Sequence, residues 1–221
     1  MMNQIVNPMM NLMNTPVTPG DSGCGCNGPR RHKVPRMPIM IDQAKANPMD
    51  VREFLGKPLH TVVDSDALDG KMLQIFTSDE TAHAFAKSTA ASRKSKRQLP
   101  PPQPALTPGV PVNHGYVDLF EHIEFGGCEW YIPEFFHNGT VPNYGDLWCG
   151  ALWWAKNANN RVSSMDILVS ADLVWFFDLE NINLPGGSAT LLMPGDAWVP
   201  SLVDFGWNDR ISSHILLVTQ N

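Results

Sequence analysis

Two hexapeptides in the last third of the chain have side chains and spacing suited to holding a hard cation: Asn159-Asn160-Arg161-Val162-Ser163-Ser164 and Asn208-Asp209-Arg210-Ile211-Ser212-Ser213. Both pair amide or carboxylate oxygens with hydroxyls across an arginine and a β-branched residue, and both run into an apolar stretch, Met165 to Val169 and Ile215 to Val218. Asn, Asp and Ser oxygens, with the carbonyls of a bent loop, are the hard ligands that Ca²⁺ gathers in sets of about six to eight. A repeat offset by 49 positions also points to a duplicated structural unit. An isolated Asx-x-x-Ser spacing is an ordinary turn or cap, because these side chains bond their own backbone. Two copies at repeat spacing shift the expectation toward a calcium site.

Elements must hold such loops, and composition says where they lie. All seven Trp, all three Tyr and seven of the ten Phe fall between Tyr116 and Trp207. Residues 1–110 carry 13 Lys/Arg against 9 Asp/Glu, and residues 111–221 carry 3 against 13. An acidic, aromatic-rich half of this length suffices for one compact core, attracts cations and repels nucleic acid. No apolar run approaches the roughly 20 residues of a membrane-crossing helix, so no membrane span is expected. Met1 to Asn14 does not resemble a secretory signal, and the compartment is left open.

The chain divides into four stretches. Residues 1–43 read as a disordered or loosely ordered tail without sustained periodicity. Residues 44–91 read as a small α-β-β-α unit of unknown role. Asn47 caps a short helix with Pro48 at its first position and Gly56 beyond its end. Strands are expected at His60 to Val63 and Met72 to Phe76, and a helix opens at Ser78 with Asp79 and Glu80 in its first turn. Such a unit is marginal alone and is expected to dock on something. Residues 92–113, with the run Arg93-Lys94-Ser95-Lys96-Arg97 and then repeated prolines, read as a basic, semi-rigid linker. From Gly115 onward, short alternating strands and turns without helices indicate an all-β fold of two Greek-key motifs in an antiparallel sandwich.

Here the residues resemble a family. Phe120, Phe125 and Gly127 match the aromatic, aromatic and glycine positions of the first hairpin of a βγ-crystallin Greek key. The two hexapeptides resemble that family's calcium clamp. The resemblance covers residues 114–219, about half the chain, and implies motifs at about 115–169 and 172–219. It further implies two Ca²⁺ ions between paired clamps, each clamp lending ligands to both. Carried over by position, Asn160 and Asp209 act through side chain or loop backbone, and Arg161 and Arg210 offer main-chain carbonyls. Ser163 and Ser212 supply hydroxyls across to the partner site, and backbone oxygen near Glu121 and Asp178 completes each site. The second repeat departs from the pattern: Phe177 is in place, but Ile182 and Leu184 stand where an aromatic and a glycine belong. Because Asn160 is neutral and Asp209 charged, the sites are expected to be unequal, with the Asp209 site tighter.

No serine-nucleophile elbow, zinc-protease helix motif or glycine-rich phosphate loop is present, and no enzymatic activity is expected. Cys128 and Cys149 are candidates for a disulfide in an exported protein, whereas Cys24 and Cys26 with His32 lack the ligands of a zinc site. Asn138-Gly139-Thr140 matches a glycosylation acceptor. The expectation is therefore a non-enzymatic calcium-binding protein. The alternatives are a secreted inhibitor or toxin-like protein acting through a loop between Phe135 and Trp154, or a structural, stress-related protein. A protein partner is left open.

Overall fold

The computed structural model describes residues 32–92, 115–134, 139–150, 155–182 and 188–217. The linker run, Cys24, Cys26, Asn138, Trp153, Trp154, Leu184 and Gly186-Gly187 lie outside them. The first half contributes β1 (Ile39–Ile41), β2 (Ala44–Ala46), a 3₁₀ helix (Pro48–Phe54), β3 (His60–Val62), α1 (Ser65–Leu68), β4 (Leu73–Phe76) and α2 (Asp79–Ser92). The second contributes β5 (Tyr116–His122), β6 (Gly126–Pro133), β7 (Thr140–Val141), β8 (Trp148–Cys149), β9 (Lys156–Asn157) and β10 (Ser164–Leu168). It continues with β11 (Leu173–Phe177), β12 (Thr190–Pro194), β13 (Trp198–Val199) and β14 (Ser213–Leu217). No helix among the described residues is long and apolar enough to cross a membrane.

The second half is an all-β sandwich of two Greek keys, built from β5, β6, β7 and β10 and from β11, β12, β13 and β14. The motifs exchange their third strands. One sheet runs β13-β10-β5-β6, and the other contains β12-β11-β14-β7. Each sheet thus takes three strands from one motif and one short strand from the other, which ties the duplicated units together through main-chain hydrogen bonds.

Side-chain alternation explains the first sheet. Val117 and Leu119 of β5, Trp130 and Ile132 of β6, and Met165 and Ile167 of β10 are buried between the sheets, while Tyr131 stands exposed on the other face. The second sheet breaks that rule. Leu173-Val174-Trp175-Phe176-Phe177 and Thr190-Leu191-Leu192-Met193-Pro194 are buried at every position. A continuous apolar strand needs cover on both faces, and the first half of the chain supplies it. Phe76 of β4 and Ala82 and Ala86 of α2 pack in one apolar cluster with Leu173, Trp175, Phe177 and Leu192. Val174, Phe176, Leu191 and Met193 belong to the cluster between the sheets.

The first half also extends the sheet itself. β3 pairs in parallel with β12 through His60↔Thr190, Thr61↔Leu191 and Val62↔Leu192. The full order is β2-β1-β4-β3-β12-β11-β14-β7. Met37, Ile39, Val51, Leu59, Leu73 and Ile75 join the same core cluster as the sandwich interior.

The expected helix at Pro48 is a 3₁₀ helix, with Asn47 and Asp50 forming a reciprocal cap. The tail boundary at residue 43 does not hold, because β1 lies within 32–43. It forms a hairpin with β2 through Asp42 and Gln43, both at positive φ, and pairs in parallel with β4. A three-residue strand with buried Ile39 gains its order from β4 and the shared core, not from a period of its own. The apolar stretch from Met165 to Val169 forms a strand displaced by one residue, as β10.

Candidate functional site

The two hexapeptides meet across a local pseudo-dyad, and nearly every contact occurs twice. Asn160 and Asp209 both adopt left-handed backbone, φ 53° and 54°, a conformation that Asn and Asp tolerate better than most residues. The Asn160 N–H donates to Ile211 O at 3.0 Å, and the Asp209 N–H donates to Val162 O at 3.0 Å. Val162 and Ile211 are fully buried and pin the loops from below. The Ser163 N–H donates to Phe120 O, and the Ser212 N–H to Phe177 O, both at 2.9 Å.

The first serines reach across to the opposite clamp. Ser163 Oγ donates to Asp209 Oδ1 at 3.5 Å, and Ser212 Oγ donates to Asn160 Oδ1 at 3.3 Å. Ser212 Oγ also lies 3.4 Å from Asp178 O. Each clamp thus presents its Asx oxygen to the other clamp's hydroxyl. These oxygen pairs and the main-chain oxygen at Asp178 are a hard-donor set, which fits the coordination chemistry of Ca²⁺. Among the described residues there is no group of three or more His, Cys, Asp or Glu that could hold a metal ion. A donor set of amide, hydroxyl and carbonyl oxygens needs no such group.

The second serines have a role that sequence reasoning missed. Ser164 Oγ donates to His122 O at 2.6 Å, and Ser213 Oγ donates to Leu179 O at 2.7 Å. These fully buried hydroxyls fasten each clamp to the hairpin of its own motif. The doubled serine in both hexapeptides was the available signal.

The hairpins obey the same symmetry. Phe120 and Phe125 pack edge to face at 5.3 Å. Gly127 has φ 81°, and a Cβ there would come within 2.8 Å of the His122 ring, so glycine is required. In the second motif Ile182 takes the place of Phe125 and keeps its left-handed backbone, φ 46° against 58°. The altered side chain therefore leaves the turn conformation in place, although φ > 0 is unfavourable for a β-branched residue. Ile182 packs on the cluster that α2 covers, which gives an aliphatic side chain a purpose there.

The carboxylates of Glu121 and Asp178, beside the clamps, are paired with cations. Lys156 Nζ donates to Glu121 Oε1 at 2.6 Å, Arg161 Nη1 stands 4.0 Å from it, and the Cys128 N–H donates to Oε2 at 3.3 Å. The Lys156 hydrogen bond holds the Glu121 carboxyl below its ordinary pKa. Arg210 Nη2 lies 3.4 Å from Asp178 Oδ2, and its guanidinium stacks over Trp207 at 4.4 Å. Asp178 Oδ1 accepts from the Ala189 N–H at 2.9 Å. With both carboxylates engaged, main-chain oxygen is what Glu121 and Asp178 have to offer a cation.

The first half braces the second clamp. Trp207 Nε1 donates to Thr61 Oγ1 of β3 at 3.0 Å, and Lys33 Nζ lies 3.5 Å from Asp209 Oδ2. Neither partner was legible in the sequence, since nothing in residues 32–61 marks them as neighbours of position 209. Elsewhere, Cys128 and Cys149 are joined by a disulfide with Cα atoms 5.9 Å apart, linking β6 to β8.

Several solved structures are similar to this chain. An archaeal βγ-crystallin aligns at 20% identity over 48% of this chain and 100% of its own, with a TM-score of 0.31. A βγ-crystallin from Ciona intestinalis aligns at 23% identity over 46% and 99%, with a TM-score of 0.29. Spherulin 3A from Physarum polycephalum aligns at 22% identity over 51% and 94%, with a TM-score of 0.33. No protein-family model and no curated protein sequence matches the chain.

Proposed function

We propose that residues 115–217 are a non-enzymatic βγ-crystallin-type domain that binds two Ca²⁺ ions between its clamps, with calcium stabilising the fold. The observation that supports this best is the crossed pairing of Ser163 with Asp209 and of Ser212 with Asn160. Asn160, Ser212 and main-chain oxygen at Arg161 and Asp178 would serve one ion. Asp209, Ser163 and main-chain oxygen at Arg210 and Glu121 would serve the other, with water completing each set. Bound calcium would supply charge that holds the two clamp loops together. The chain's own part is to converge hard oxygens while Lys156 and Arg210 satisfy the neighbouring carboxylates.

Ions that bind the folded loops and not the unfolded chain stabilise by mass action, about 2.7 kcal/mol per site at a hundredfold excess over Kd. The melting temperature of the metal-free full chain is therefore expected to rise by several degrees in millimolar Ca²⁺ and far less in Mg²⁺. Ser163→Ala and Ser212→Ala should each diminish the rise. An identical melting temperature in Ca²⁺ and in chelator would sink the reading.

The disulfide favours a second reading, an exported binding protein whose loop beside β8 is braced by Cys128–Cys149. Trp148, at 61% exposure, stands next to the bridge. Disulfides persist in oxidising compartments. Two reactive thiols in the denatured, unreduced chain would agree with this reading, and four would count against it.

A further inference from the structure

We propose that residues 32–36 form a tethered cationic plug on the second clamp, the Lys33 ammonium occupying the electrostatic place of a divalent cation beside Asp209 and leaving when Ca²⁺ enters. The proposal rests on the calcium reading above and names how one of its two sites is regulated.

The arm's backbone is held on both sides of Lys33. His32 is buried, with Nε2 2.7 Å from Lys57 O. The Arg36 N–H donates to Asp204 O at 3.0 Å. Between them the Lys33 carbonyl rests against Gly206, at φ 74°, where a Cβ would come within 2.5 Å of that oxygen. Glycine at 206 thus permits close approach of the arm to the loop that carries the clamp. So anchored, the Lys33 side chain sets Nζ 3.5 Å from Asp209 Oδ2 and in hydrogen bond with Asn208 O. The other carboxylate oxygen, Oδ1, faces Ser163 Oγ.

The chemistry matches. A lysine ammonium is a compact, hydrated point charge, and here it sits on a carboxylate and a main-chain carbonyl, the oxygen types that Ca²⁺ prefers. The equivalent position in the first clamp, Asn160, has no charge to neutralise, and the cations there, Lys156 and Arg161, stand on Glu121 instead. The plug is therefore specific to the charged clamp and offsets the affinity that Asp209 would otherwise confer. By linkage, arm docking weakens calcium binding by the same factor by which calcium weakens arm docking, so loosening the arm tightens calcium binding. Both side chains are nearly half exposed, so screening bounds the effect at about two- to fivefold in affinity.

The test is calorimetric titration of the full chain with CaCl₂ at low ionic strength, comparing the native protein with Lys33→Met and with Lys71→Met as a charge control. Lys71 pairs with Asp66 and Asp69 instead. The expected result is one of two sites tightening about two- to fivefold in Lys33→Met, a gain that shrinks in high salt. Lys71→Met should leave both sites unchanged. Measurable binding that is unaltered or weaker in Lys33→Met, or equally tightened by Lys71→Met, overturns the plug alone. No binding heat in any of the three proteins removes the calcium reading and the plug with it.

Discussion

A chain cut to residues 111–221 is expected to lose its stable monomeric fold, although it retains both Greek keys and both clamps. The cut strips α2 from the outer face of the second sheet and β3 and β4 from beside β12 within it, exposing Leu173, Trp175, Phe177 and Leu192 on one side of the sandwich. Each large apolar side chain returned to water costs about 1.5–3 kcal/mol, so four amount to roughly 6–12 kcal/mol as an upper estimate. That is comparable to the whole stability of an ordinary domain, about 5–15 kcal/mol. The cut also unpairs the β12 edge, a template for aggregation, and removes Thr61 from the Trp207 indole. Size-exclusion chromatography and thermal melts of the fragment and the full chain check this. A monomeric fragment that melts cooperatively within a few degrees of the full chain would show the first half to be dispensable.

Acid should destabilise the protein well before its carboxylates are exhausted, through two buried histidines. Desolvation lowers the His214 pKa to about 3 and the His60 pKa to about 4. His214 Nδ1 is 2.7 Å from the Tyr144 hydroxyl, and His60 Nδ1 is 2.9 Å from Thr190 Oγ1. The unfolded chain takes up these protons near pH 6.5, whereas the folded chain resists them. Their stabilising contribution is complete above pH 6.5 and falls as pH drops toward 4 for His60 and 3 for His214. At pH 5 each has lost about 2 kcal/mol.

Asp118 works in the opposite direction. Burial, with Glu129 and Asp166 nearby, raises its pKa to about 7. A carboxyl that prefers its proton when folded costs stability above pH 7 and relieves that cost as pH falls toward its unfolded value near 4. The native melting temperature is therefore expected to peak at slightly acidic pH. Asp118→Asn should raise it at pH 8 and leave the steep histidine-driven loss below pH 6. A variant less stable than native at pH 8, or a flat profile between pH 6.5 and 4.5, contradicts these assignments.

How much was legible in the sequence depended on whether the determining contacts were local. The clamps were, because an Asx at φ > 0, a buried β-branched residue and paired serines are needed within six residues. The hairpin at Phe120 to Gly127 was, because a ring pair and one obligatory glycine set its turn. The short strands and the Asn47 cap followed from alternation and capping chemistry, with boundaries displaced by a residue or two. The second hairpin was harder, since Ile182 hides a backbone conformation that it shares with Phe125. The strand at residues 39–41 was not legible, because it depends on pairing with β4, more than 30 positions away.

By itself, then, the sequence determined the duplicated oxygen-rich loops, their neutral-and-charged asymmetry and the Greek-key half that carries them. Local backbone chemistry and side-chain periodicity are written in consecutive residues. Only the tertiary structure decided that the first half is an extension of the same sheet and core, that α2 covers the all-apolar face of β11 and β12, and that Lys33 comes to rest beside Asp209. The physical reason is that strand pairing and burial select partners across more than a hundred residues by shape and exclusion of water. An apolar run such as Leu173 to Phe177 announces that it must be covered on both faces without saying by what.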